Sequence, residues 1–104
     1  MAFPFTIHPA ARKEALHEIS WLENSREGLG KKFNEVLDQT ISRILENPKQ
    51  FPLVLQNPDR RKALFSKPFH KSHCIYFEME DEIIRIISIF NNKRDPSSWQ
   101  EREF

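Results

Sequence analysis

The sequence is short of several things, and each shortage narrows what the protein can be. There is one cysteine, Cys74, so no internal disulfide is available and the composition suits a reducing cytosol. There are two glycines, Gly28 and Gly30, too few for a loop that cradles phosphate with bare backbone amides. No apolar run approaches the roughly 20 residues that cross a bilayer. The opening MAFPFTIHPA lacks both the basic start and the apolar middle of a secretory signal. A cytoplasmic protein with no membrane partner is therefore expected. An excess of one charge is missing too: 16 Lys and Arg against 15 Asp and Glu leave a net +1. A chain that grips many phosphates usually carries a large positive surplus.

What the chain does have is phenylalanine, 9 in 104 residues, and that supplies large buried area per side chain. Residues 1–104 are enough for one domain with its own core. Phe3, Phe5 and Ile7 alternate with Pro4, Thr6 and His8, which predicts a short first strand at a sheet edge, because Pro4 cannot donate to a central ladder. Pro9 fits the first turn of a helix running from Ala10 to about Arg26. Its expected core face is Ala15, Ile19 and Leu22 with Leu16 beside them, and charged residues fill the other side. After Gly28 and Gly30 a second helix carries Leu29, Phe33, Val36, Leu37, Thr40, Ile41, Ile44 and Leu45, a broad stripe of 3.6-residue period. Asn47-Pro48 ends it.

Residues 49–59 read as a loop fixed by Pro52 and Pro58 and lying over the core. Three strands follow: 60–66, then 71–80 after the Lys67-Pro68 break, then 83–90 after an Asp81-Glu82 turn. The last, IIRIISIF, is apolar on both faces and should be covered on both. The predicted fold is α+β: an N-terminal strand, an antiparallel helical hairpin packed on one face of an antiparallel sheet, and a three-stranded C-terminal meander that completes the sheet.

Few residues suggest chemistry by themselves. His70-x-x-His73-Cys74 brings soft ligands together in sequence, but a strand sends His73 and Cys74 to opposite faces, and no second cluster completes a four-ligand site. Neither a metal nor any other cofactor is expected. The sole tyrosine, Tyr76, lies mid-strand, where packing is its expected role. The last strand runs into FNNKRDPSSW, an unusual crowding of amides, cations and an aromatic ring.

That ending, with what precedes it, carries a resemblance. The helices close in ILENP, Arg60-Arg61 open a strand, and KPFHKSHCIYFEMEDEIIRIISIF is similar to the paired strands of the RelE/ParE superfamily of toxins from bacterial type II toxin–antitoxin modules. NNKRDPSSWQER resembles the family's H-x-x-RDP-x-x-W-x-x-R ending, the most distinctive piece. The likeness covers nearly the whole chain and is closer to the ParE or plasmid-stabilisation branch.

The resemblance implies a growth-inhibiting toxin neutralised by a cognate antitoxin, with oligomers formed through that complex. A ParE-like chain would bind a protein target such as DNA gyrase. A RelE-like one would cleave mRNA on the ribosome without metal, and here its catalytic groups would be Arg61, His73 and Arg94. A third reading is a non-toxic relative that acts only as a complex partner. The residues expected to touch target or antitoxin are Arg60, Arg61, Lys62, Lys71, Asn92, Lys93, Arg94 and Trp99, with Trp99 either anchoring the tail or stacking on a base. His73 has a pKa range suited to proton transfer, or else pairs with a carboxylate. Asn91-Asn92 stand where many relatives have His, and Trp99-Gln100 near where many nucleases of the group have Tyr, which weighs against nuclease chemistry.

Overall fold

The computed structural model describes residues 3–103; Met1, Ala2 and Phe104, included above in the domain, lie outside them. The chain begins with β1 (Phe5–Ile7) and continues into α1 (Pro9–Ser25) and α2 (Leu29–Glu46). A short 3-10 turn (Pro48–Gln50) leads to β2 (Leu53–Val54), β3 (Asn57–Leu64), β4 (His73–Glu80), β5 (Ile83–Asn91) and α3 (Ser97–Gln100). The sheet order is β1-β5-β4-β3-β2, with both long helices on one face. The expected α+β order holds. β1 joins β5 in parallel, which makes the sheet mixed, and it lies at the edge where Pro4 requires it.

Local chemistry explains the boundaries. Pro9 occupies the first helical position, and the His8 ring accepts a hydrogen bond from the Ala10 N–H at 3.0 Å. Gly28 starts α2 at φ +85°, and in place of a capping side chain there the Glu23 carboxylate accepts from the Gly28 and Gly30 amides at 2.9 and 3.1 Å. Of the predicted stripe α2 buries Phe33, Val36, Leu37, Thr40 and Ile44, while Leu29, Ile41 and Leu45 are half-buried against the same core. Thr40 is tolerated in the core because its hydroxyl donates to the Val36 carbonyl at 2.7 Å. Phe33 is the hub of this core, with its ring 5.1 Å from both Phe65 and Phe69.

At Gly30 the two helices approach closely. A Cβ there would run into the Ile19 carbonyl oxygen and meet Glu23 Cβ at 3.0 Å. Alanine is the better helix former by about 1 kcal/mol, but the contact involves backbone that cannot swing aside. Gly30→Ala is therefore expected to destabilise by about 1–3 kcal/mol, read as a lowered urea midpoint.

Two expectations need correcting. Residues 49–59 are not a loop throughout. Leu53 pairs with Arg61 and Val54 with Asn57 across a bulge, so β3 starts three residues before Arg60 and the sheet gains an outer strand. The two prolines hid this, yet Pro52 accepts from the Lys62 N–H at 3.1 Å and Pro58 sits near the start of β3, where edge pairing tolerates it. On α1, Leu16 is 62% exposed, while Glu14 and Glu18 are buried with Ala11 and Leu22.

β5 is covered on both faces, as its composition predicted. Opposite β4 it carries an irregularity between the pairs Tyr76–Ser88 and Phe77–Ile86, with Ile87 as the extra residue. Ile84, Ile86 and Ile89 face the helices, while Ile87 and Phe90 join Cys74, Tyr76 and Trp99 on the other face. Asp81 and Glu82 link β4 to β5 with φ of 52° and 64°, the left-handed pair that a tight hairpin needs. Among the described residues no helix is long and apolar enough to cross a membrane.

Candidate functional site

β1 runs out opposite Ile86, which leaves the second half of β5 with an unpaired edge beneath α1. Two carboxylates one helical turn apart fill that gap. Glu14 Oε1 accepts from the Ile89 N–H at 3.2 Å, the Ser88 hydroxyl at 2.9 Å and Arg102 at 2.9 Å. The same Arg102 nitrogen donates to the Ile87 carbonyl at 2.8 Å, so one ion pair satisfies a donor and an acceptor of the open edge. Glu14 Oε2 takes Arg94 and the second Arg102 nitrogen, each at 3.3 Å.

Glu18 continues the polar layer. Its Oε1 accepts from His73 Nε2 and Asn91 Nδ2, both at 2.7 Å. A carboxylate only accepts, so Nε2 carries the proton. His73 Nδ1 lies 2.7 Å from the Ser72 hydroxyl, and the ring is packed among Phe33, Phe65 and Phe69. The His73 hydrogen bond holds the Glu18 carboxyl below its ordinary pKa, against the upward push of burial, with help from Asn91 and from the nearby charges of His73 and His17.

On the other sheet face, Trp99 stacks on Tyr76 with ring centroids 3.6 Å apart. Arg60 holds the tail in place by donating to the carbonyls of Trp99 and Arg102, and it reaches Glu78 at 3.5 Å. Burial pushes the Tyr76 hydroxyl above its ordinary pKa and the Cys74 thiol up to about 11, so neither is poised to move a proton near neutrality.

The expected residues therefore fall into two groups. Arg60 and Trp99 are interior, 7% and 3% exposed. Arg61 is half-buried and donates to the Phe51 carbonyl at 2.6 Å. Lys62 is half-buried with its ammonium 6.0 Å from the Tyr76 ring. Lys71, Asn92 and Lys93 are exposed, and Asn92 donates to the Lys71 carbonyl at 3.1 Å. Arg94 keeps 48% of its side chain exposed beside Glu14. Arg61, His73 and Arg94 do not converge: Arg61 pairs opposite Phe77, four residues or ~13 Å along β4 from His73. His73 and Cys74 point to opposite faces, as the alternation predicted.

Sequence reasoning missed Glu14, Glu18 and Arg102 at the centre, and Lys13, His17 and Trp21 on the rim. A signal for the two carboxylates existed. Ala11, Glu14, Ala15, Glu18, Ile19 and Leu22 lie on one helical face, so the apolar stripe already contained both.

Two adjoining hollows open above the carboxylates. One of about 280 Å³ is lined by His17, Glu18, Trp21, Asn91, Lys93 and Arg94. Its neighbour, about 290 Å³, shares His17 and Arg94 and adds Ala10, Lys13, Glu14 and Arg102. Together they form a groove between α1 and the end of β5. It has cations and one indole on its rim, and both floor carboxylates are already matched. Such a surface suits binding better than proton transfer. No protein-family model matches this chain, and no curated protein matches it at a significant level.

Proposed function

We propose that the chain is the toxin of a type II toxin–antitoxin module, ParE-like in its action. It inhibits growth in the cytoplasm by binding a protein target such as DNA gyrase, and a cognate antitoxin neutralises it. The resemblance in RDP-x-x-W-x-x-R suggests the family, and the strand, helical hairpin and meander are compatible with it.

One observation favours binding over mRNA cleavage. The imidazole and the phenol of β4 are both enclosed and engaged: His73 by Glu18 and Ser72, Tyr76 beneath Trp99. Metal-free cleavage at a 2′-hydroxyl needs such a group within reach of its proton. The cations that line the groove are Lys13, Lys93 and Arg94, of which Arg94 pairs with Glu14 and not with His73 or Tyr76.

Inducing the chain alone in a bacterial host tests the reading. The expected outcome is arrested growth with filamentation and DNA-damage signalling while protein synthesis continues. An immediate stop in translation with cut mRNA overturns it in favour of the nuclease. Undisturbed growth leaves only the non-toxic complex partner. Because His73 is interior, loss of toxicity in His73→Ala would report on folding as much as on chemistry, so mRNA cleavage has to be measured directly.

A further inference from the structure

The groove between α1 and the end of β5 has a charge pattern that selects its occupant. Its floor carries two buried carboxylates, but Arg102 engages both oxygens of Glu14, and His73 and Asn91 engage Glu18, which leaves the half-exposed Arg94 as a surplus cation beside Glu14. What faces outward is the rim: Lys13 and His17 from α1, Lys93 and Arg94 from the turn after β5. Trp21 stands at one end, 53% exposed, two helical turns from Lys13. The track from Lys13 to Trp21 is ~12 Å long, which fits two turns of helix or four residues of strand.

We propose that this groove seats an acidic segment of a partner protein, with carboxylates over Lys13, Lys93 and Arg94 and one apolar side chain against Trp21. The proposal rests on the reading that the chain works by binding protein, and it names the chemistry of the bound segment. Two other occupants fit less well. A nucleic acid strand is held by a positive track with many phosphate contacts, and this chain has a net charge of +1. A second copy would offer its acidic hairpin tip at residues 78–82. There, however, Glu78 already reaches Arg60 at 3.5 Å and Glu80 reaches Arg85 at 3.2 Å, which leaves Asp81 and Glu82 as its carboxylates at the turn. An acidic partner explains both the cationic rim and the exposed indole, since opposite charge speeds encounter and a buried aromatic contact slows release.

The test selects a random-peptide display library on the full chain, then measures synthesised winners against wild type, Lys13→Glu/Lys93→Glu and Trp21→Ala. These side chains are exposed, and thermal melts check that the variants stay folded. The expected winners carry at least two acidic residues around an aliphatic or aromatic one. Their affinity falls about tenfold or more in each variant and weakens with salt. The proposal is overturned by failure to enrich any peptide, by neutral or basic winners, or by winners that bind the charge-reversed variant as well as wild type. It is also overturned if a single-stranded oligonucleotide of about 12 bases displaces the winners, or if the chain self-associates through the groove in a salt-sensitive way. Growth on induction is scored separately. Its failure to arrest sinks the toxin reading and leaves the peptide result standing, whereas arrest with neutral peptides sinks the groove assignment alone.

Discussion

Glu14→Ala is expected to destabilise the protein by about 3–5 kcal/mol, a large part of the ~5–15 kcal/mol that a domain usually has. The carboxylate is 5% exposed and accepts from Ser88, Ile89, Arg94 and Arg102. Removing it leaves the Ile89 N–H without its acceptor on the open edge of β5, and leaves Arg102, 13% exposed, beside a cavity with only the Ile87 carbonyl among these partners. Glu14→Gln keeps the shape but turns a donor toward the guanidinium, so it too is expected to destabilise. The checking measurement is a urea-denaturation cycle with Glu14→Ala, Arg102→Ala and the double variant. The double should cost less than the sum by about 0.5–3 kcal/mol. A Glu14→Ala variant within about 0.5 kcal/mol of wild type would sink the idea, because surface substitutions away from such features fall in that range.

The same cluster gives the chain's most distinctive ending a physical meaning. In RDPSSWQER, Arg94 reaches Glu14, and Asp95 accepts from the Ser97 N–H at 3.0 Å to start α3. Trp99 stacks on Tyr76, and Arg102 passes round the β5 edge to Glu14 and the Ile87 carbonyl. The pattern is a clasp: it pins the tail across one sheet face and seals the edge that β1 is too short to cover. The residues that carry the family resemblance are thus mostly engaged in holding the fold. Of them, Arg94 and Arg102 also line the groove.

Much of the architecture was legible in the sequence because binary pattern and period decide it. α2 shows the pattern at its cleanest, and β4 keeps the predicted separation of His73 from Cys74, with Ile75 and Phe77 on the first face and Tyr76 on the second. The candidate site was not legible for two reasons. A pattern reading places charge outside, and with it Glu14 and Glu18 in solvent and Leu16 in the core. What brought the carboxylates inside is the length of β1, three residues against the nine of β5, and a pattern along one element cannot report an unpaired edge on another. The second reason is the extra residue Ile87. It changes which side chains of IIRIISIF share a face, so a period of two cannot be carried past it. The tail's partners are also distant in sequence: Arg60 lies 39 residues from Trp99, and Glu14 lies 88 from Arg102.

Glu18 should give the second large effect, and one that depends on pH. Glu18→Ala removes the acceptor of the buried His73 N–H and of Asn91, at an expected cost of about 3 kcal/mol at neutral pH. Glu18→Gln isolates the charge. The folded carboxyl titrates below its ordinary value of 4.5, because the His73 hydrogen bond, joined by Asn91, outweighs the burial that would raise it. The unfolded chain therefore takes up this proton first as pH falls. The stabilisation is complete above about pH 5 and is lost as pH drops through the folded value, with a slope of at most ~1.4 kcal/mol per pH unit for one proton. Wild type and Glu18→Gln should accordingly differ most near neutrality and converge in acid. A gap that stays constant down to about pH 3 would mean that Glu18 acts through shape alone. Convergence would show that the ionised carboxylate holds the edge of β5 to the aromatic core, since Glu18 ties Asn91 on that strand to His73 between Phe33, Phe65 and Phe69.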